Sequence, residues 1–264
     1  MREYTSVMNQ IARRPIRLYD VTLENGSTLS PFVWRIRYAL AHKGLETELE
    51  PVAFTQIRQI LDGQYEQVPI IEDNGQVIQD SWTIAQYLDR TYSDAPPLFR
   101  TYGEYTAARF FDRWMFRDVI PHMYHCYVLD NYNQARPEDR EYLRESRQRS
   151  FLGGRTLEEV VKGREKRLPL VRDSLQPLRV ALAESPWLGG LRPNYVDFIG
   201  LGLFLWAAAI NTLPPLEKND SLFDWLNRGF DLYGGLGRDE RLHPLAPGVP
   251  TSRPPEHEEQ RLSA

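Results

Sequence analysis

Residues 30 to 44 read "SPFVWRIRYALAHKG". Proline suits the first position of a helix, where its missing N–H would lack an intrahelical partner anyway, so Ser30 falls at the N-cap. Phe32, Ile36 and Leu40 recur at helical spacing and Gly44 supplies a stop, which predicts one helix between them. On its N-terminal side, "IRLYDVT" (16–22) alternates like a strand, and on its C-terminal side "ETELEPVAF" (46–54) is again extended. This is a β-α-β unit. A helix is expected somewhere in 55–62. "VPIIEDNGQVIQDS" (68–81) then places two short apolar runs around Asn74-Gly75, a hairpin signal, before "SWTIAQYLDRTY" opens a further helix. "SDAPPLF" (93–99) reads as a proline-stiffened linker.

Beyond the linker the period changes from two to helical. "TYGEYTAARFFDRWMFRDVIPHMYHCYVLDNY" (101–132), "SLQPLRVALAESPWLGG" (174–190), "NYVDFIGLGLFLWAAAI" (194–210) and "SLFDWLNRGFDLYGGLG" (221–237) predict an all-helical half. Asn194 and Asp197 stand three apart at the start of the most apolar helix, the spacing of a capping box with a shorter acid. The stretch from about Arg238 carries few large apolar residues and is expected to be loose, and the first fifteen residues predict nothing.

With 264 residues, two domains are the better expectation. A composition of 42% hydrophobic and 26% charged residues belongs to a globular chain, and a net charge of −4 gives no basis for nucleic-acid binding. The single cysteine, Cys126, excludes an intrachain disulfide, and no secretory leader opens the chain, which points to a reducing cytoplasm. The longest apolar run, 198–210, is shorter than the ~20 residues that span a bilayer and predicts a buried helix with no membrane partner.

Three short stretches carry the chemistry. At Ser30 the helix start turns its unpaired N–H groups and partial positive charge toward whatever sits there, which favours an anion. No base lies nearby in sequence to take a proton from Ser30, so its hydroxyl suits a donor better than a nucleophile. Pro69 cannot donate to a sheet ladder, which leaves Val68 beside it free to pair with an extended peptide. Asp80-Ser81 ends the hairpin and opens the next helix, a second anion corner that also carries a carboxylate of its own, suited to an amino acid's carboxylate and ammonium together. Taken singly, each stretch is an ordinary cap or strand start. Their order in one small α/β domain is the informative part.

In that order they resemble the glutathione transferase family. The resemblance implies a thioredoxin-like N-terminal domain (16–92) after an N-terminal extension (1–15), a linker (93–100), a C-terminal helical bundle domain (101–240) and a flexible tail (241–264). It further implies a cis Val68-Pro69 bond, Ser30 as the catalytic donor to the glutathione sulfur, Val68 paired with the cysteinyl backbone, and Asp80 and Ser81 on the γ-glutamyl end. Gln56, Arg58 and Gln67 are the candidates for the glycine carboxylate. Glutathione is then a co-substrate, and a homodimer is implied.

Within the family, "SPFVWRIRYALAHKG", "DSWTIAQYLD", "YVLD", "FLGGRTLEEVVKGREKRLPL" (151–170), "LFLW" and "DWLNRGFDLYGGLGR" resemble the bacterial β-aryl etherases that cleave lignin-derived ethers, and related fungal transferases. The implied partner is a small aromatic ether or another hydrophobic electrophile. General conjugation of electrophiles and non-catalytic ligand binding are the alternatives. For the pocket, Phe32 lies next to the sulfur corner, and Met115, Val119 and Met123 join Phe111 in an i, i+4 stripe that reads as core or as substrate wall. Arg35 and Arg37 read as scaffold or solvent-facing. His122 and His125 lack a third ligand at a metal spacing, so no metal site is expected.

Overall fold

A computed structural model describes residues 14–252. The expected N-terminal extension lies outside the described residues for positions 1–13, and the expected tail for positions 253–264. Four strands, β1 (Ile16–Val21), β2 (Thr47–Val52), β3 (Ile70–Asp73) and β4 (Gln76–Gln79), form one mixed sheet in the order β2-β1-β3-β4. Parallel pairing of β1 with β2 fits the crossover helix α1 (Pro31–His42) between them, and β3 and β4 form the hairpin, with Asn74 and Gly75 both at positive φ. Helix α2 (Ser81–Thr91) closes this half, a thioredoxin-like arrangement.

Between β2 and β3 the expected helix is a 3-10 turn, Phe54–Gln59. It stays that short because side chains hold its start: the Ala53 N–H donates to Gln56 Oε1 (2.9 Å), and the Phe54 and Thr55 N–H groups donate to the two carboxylate oxygens of Asp139, a residue of the helical half.

The helical half comprises α3 (Tyr102–Trp114), α4 (Ile120–Gln134), α5 (Arg140–Ser150), α6 (Leu157–Val161), α7 (Leu168–Ser174), α8 (Gln176–Glu184), α9 (Tyr195–Ile210) and α10 (Leu222–Gly235). α3 and α4 are one long helix interrupted by a π turn at Met115–Val119, where the Ile120 N–H reaches back to the Met115 carbonyl. Pro121 explains the interruption: it has no N–H for the ordinary ladder, and the chain adjusts one residue ahead of it. Every residue of α9 is buried, and α9 lies against α1. A Cβ on Gly202 would stand 2.5 Å from the Pro31 carbonyl oxygen, so only glycine lets α9 come this close to the start of α1.

One expectation fails in physical detail. The stretch after Arg238 packs: Leu242, Leu245 and Ala246 are buried, the Leu216 N–H donates to the Leu245 carbonyl (3.0 Å), and the His243 N–H donates to the Ala208 carbonyl (2.6 Å). A few apolar residues suffice there because they cover the end of a helix that is already apolar on every side. Among the described residues no helix is long and apolar enough to cross a membrane.

Candidate active site

The sheet register gathers the three sequence motifs at one end of the sheet. β1 and β3 pair with Tyr19 opposite Ile70, so the continuation of the two strands brings Val21 toward Val68. The Leu29 N–H donates to the Val21 carbonyl (2.9 Å), which brings Ser30 to the same end. Ile70 pairs with Gln79, and the Asp80 N–H donates to the Pro69 carbonyl (3.2 Å), which brings Asp80-Ser81 there as well.

Ser30 is the N-cap of α1 with an extended backbone, and its Oγ accepts from the Val33 N–H at 3.3 Å. A hydroxyl has one donor and two acceptor sites, so this cap bond leaves the O–H free to donate outward. Cap and donor are therefore compatible roles.

The Val68-Pro69 bond is cis, and β3 begins only at Ile70. Pro69 thus stands ahead of an interior strand rather than within an edge strand, and Val68, half-buried, lies outside the ladder. Gln67 is exposed; its carbonyl accepts from Gln79 Nε2 (2.9 Å). Of the other candidates for a glycine carboxylate, Gln56 already holds the Ala53 N–H, and exposed Arg58 pairs with Glu66 (2.8 Å).

Asp80 caps α2 at φ +74°, a conformation unfavourable for any residue with a Cβ, and its Oδ1 accepts from the Thr83 N–H and hydroxyl (2.9 and 3.0 Å). The carboxylate itself stays exposed. Ser81 is buried, and its carbonyl accepts from the Tyr195 hydroxyl (2.8 Å) at the start of α9.

Groups of the helical half that no local sequence pattern marks brace this corner. Arg35 is buried, 2.5 Å from Asp112 of α3, and its guanidinium covers the Phe32 ring at 4.6 Å. Of its two readings, scaffold or solvent-facing, the scaffold is the one seen, as a cross-domain strut, while α1 alone gives no signal for a partner 77 positions away. Arg37 is half-buried; it lies over the Trp34 ring (4.1 Å) and donates to the Thr28 hydroxyl (2.7 Å), which in turn donates to buried Asp20. Burial pushes the Asp20 carboxyl up to about 6.

Met115, Val119 and Met123 are core residues at 2%, 0% and 0% exposure, so of the two readings of that stripe the core is the one seen. Phe32 keeps partial exposure beside Ser30. His125 is held below the ordinary imidazole range by burial and by Arg155 and Arg167, and among the described residues no group of three or more His, Cys, Asp and Glu side chains gathers as a metal-ligand set.

The sequence profile described as "Glutathione S-transferase, N-terminal domain" matches residues 26–96, and that described as "Glutathione S-transferase, C-terminal domain" matches residues 106–218. The crystal structure of glutathione transferase GSTFuA3 from Phanerochaete chrysosporium is similar at 26% identity, covering 85% of this chain and 93% of that one with a TM-score of 0.67. The glutathione S-transferase CsGST63524 of Ceriporiopsis subvermispora, solved in complex with glutathione, shares the fold at 22% identity, 83% and 96% coverage and a TM-score of 0.70. Glutathione S-transferase U7 of Arabidopsis thaliana is 24% identical over 209 residues, 76% of this chain and 79% of the plant protein.

Proposed function

The chain belongs to the glutathione S-transferase superfamily, and we propose that it uses the glutathione thiolate to displace a phenol from a lignin-derived β-aryl ether ketone. Glutathione is the co-substrate, lying along the sheet end with its cysteinyl backbone paired to Val68 and its γ-glutamyl group on Asp80 and Ser81. Its sulfur accepts the Ser30 O–H. The glycine carboxylate falls to the stretch 56–67, where Gln67 and Arg58 keep groups at the surface.

A ketone beside the carbon that bears the aryloxy group makes that carbon electrophilic, and a phenolate is a tolerable leaving group. Attack by sulfur from the back face forms the C–S bond as the C–O bond breaks, and the phenolate takes a proton from solvent. The protein's contribution is placement, with sulfur held about 3–3.5 Å from the carbon and in line with the departing oxygen. One enantiomer presents its back face to a fixed sulfur.

The observation that supports this acceptor is the position of the segment 151–170. It packs as its own small core of Leu152, Leu157 and Val160 against Val128, and it turns Phe151 toward Tyr124 at 6.0 Å, giving the domain seam an aromatic lining. The second reading, general conjugation of hydrophobic electrophiles, is favoured by relatives and structural neighbours known simply as glutathione transferases. Exposed Tyr102 and Phe110 on α3, at 83% and 75%, support assembly as a homodimer. Incubation of a racemic β-aryl ether ketone with glutathione separates the two readings. Phenol release from one enantiomer, with the other left over on a chiral column, is expected. Absence of phenol alongside brisk conjugation of chlorodinitrobenzene would establish the general transferase.

A further inference from the structure

The seam between the two halves contains a pair of donors that the glutathione chemistry does not use. The Tyr124 hydroxyl and Arg147 Nε are both buried, and neither has a hydrogen-bond partner. They are neighbours: the Arg147 charge and its guanidinium N–H groups both act on the Tyr124 phenol against the upward push of burial, yet the guanidinium and the hydroxyl do not meet at full hydrogen-bond geometry, so both Nε and the hydroxyl keep their hydrogen-bonding capacity. A buried donor left unpaired costs about 1–3 kcal/mol, so two in one place form a spot that an acceptor atom would stabilise. Burial also pushes the Tyr124 phenol upward, so at neutral pH it remains a donor.

The surroundings of the pair are aromatic. Tyr124 stacks on Trp206 at 6.4 Å, and the Arg147 guanidinium lies 5.3 Å from the Phe151 ring and 5.5 Å from Phe54, the residue that opens the 3-10 turn of the first domain. Phe54 in turn meets Tyr142 at 6.3 Å. Phe151 and Tyr142 are 58% and 44% exposed, so the covering rings belong to the surface rather than to the core and can swing aside at little packing cost. Phe151 also caps the end of α5, just before Gly153 and Gly154, both at positive φ.

The pair is linked to the sulfur corner through α9, since Tyr124 stacks on Trp206. Gly202 lies against Pro31, beside Ser30, and Trp206 is one turn further along the same face of α9, a rise of about 6 Å.

Resting on the glutathione-transferase reading above, we propose that Tyr124 and Arg147 are the specificity-determining donors for the second substrate, selecting aromatic molecules that carry a carbonyl or carboxylate oxygen over aromatic hydrocarbons of the same shape. The ring would lie among Phe54, Phe151 and Trp206, and the oxygen would take the Tyr124 O–H and the Arg147 Nε–H. A ketone oxygen held there would also be polarised toward attack at the neighbouring carbon.

The probes are acetophenone and ethylbenzene, which differ by a carbonyl in place of a methylene. Binding to the full chain saturated with S-methylglutathione, read by ligand-observed NMR, requires no turnover and is independent of whether phenol is ever released. Wild type should prefer acetophenone by about fivefold to tenfold, the worth of one good hydrogen bond. Tyr124→Phe, which keeps the ring on Trp206, should bring the preference to about twofold or less, and Arg147→Gln should reduce it by a smaller factor. Affinity for S-methylglutathione should be unchanged in both variants. Equal binding of the two probes by wild type, as when a water satisfies the pair, or an undiminished preference in Tyr124→Phe would overturn the proposal. Phenol release, measured separately, bears only on the reaction.

Discussion

Asp80 stands at the N-cap of α2 and Asp197 in the first turn of α9, so both carboxylates face the N–H groups of a helix start. In other respects they differ. Asp197 is 0% exposed and accepts four bonds, from the N–H groups of Leu188, Gly189 and Asn194 and from Trp225 Nε1, at 2.8–3.1 Å. Asp80 is exposed, accepts only from Thr83, and sits at a strained φ of +74°. A saturated, buried carboxylate ties its own chain together. An under-used, exposed carboxylate on a strained backbone is what a ligand site leaves in place. On the proposed reading, helix-cap chemistry serves architecture in one half and recognition in the other.

The largest effect should come from Asp197. In Asp197→Ala four donors lose their acceptor in a dry interior, one of them the indole that holds α10 to the first turn of α9. A loss of about 3–5 kcal/mol of stability is expected, read by urea unfolding. A loss below about 1 kcal/mol would erase the contrast, since Asp197 would then be no more structural than Asp80.

Asp139 tests the boundary between the halves. It is 1% exposed, and it accepts from the Phe54 and Thr55 N–H groups and the Thr55 hydroxyl, so a helical-domain residue fixes the turn that carries Gln56 and Arg58. Asp139→Ala should cost about 2–3 kcal/mol and weaken glutathione several-fold by loosening that turn. Unchanged glutathione affinity in the folded variant would remove the 54–59 turn from the binding site.

Asp80→Gly should separate the two roles of a cap most cleanly. Glycine accepts positive φ and replaces an N-cap at a cost of only a few tenths of a kcal/mol, so stability should hold or rise by about 1 kcal/mol. Glutathione affinity should fall by about tenfold to a hundredfold, the value of a charge-assisted bond to the γ-glutamyl ammonium. Calorimetry beside thermal melting reads both. Destabilisation with intact affinity would make Asp80 a second Asp197.

These contrasts also explain what was legible in the chain. Ser30-Pro31, Asn74-Gly75, Asp80-Ser81 and Asn194–Asp197 declare themselves because a cap or a turn is decided within about four residues. Arg35–Asp112, Tyr195 on Ser81 and Asp139 on Phe54 join positions 77, 114 and 85 apart, and no local pattern marks either partner. The sequence predicts a helix in 55–62 where a 3-10 turn forms at Phe54–Gln59, because the carboxylate that fixes its start lies in the other domain. The core position of Met115, Val119 and Met123 was open in sequence because an apolar stripe has the same spacing whether it meets protein or ligand.

Ser30 gives the smallest and sharpest test, because its cap role is already visible in the bond from the Val33 N–H. A free thiol with a pKa of about 8.5 is only a few per cent thiolate at neutral pH, and each unit of depression needs about 1.4 kcal/mol. A hydrogen bond to a charged acceptor supplies about 1.5–3 kcal/mol, and the start of α1 adds roughly 0.3–2 kcal/mol. Ser30→Ala removes the first contribution and keeps the second, since the N–H groups of Phe32 and Val33 belong to the backbone. The bound thiol's pKa should rise by about one to two units, so activity at pH 7 falls while activity well above the new pKa recovers. Glutathione affinity should change little, because Val68, Asp80 and Ser81 are untouched, and stability should drop by about 1 kcal/mol for the lost cap. Ultraviolet titration of the thiolate in the binary complex reads the pKa directly. An unchanged pKa together with the 1 kcal/mol loss would make Ser30 architecture, and the thiolate would then depend on the helix start alone.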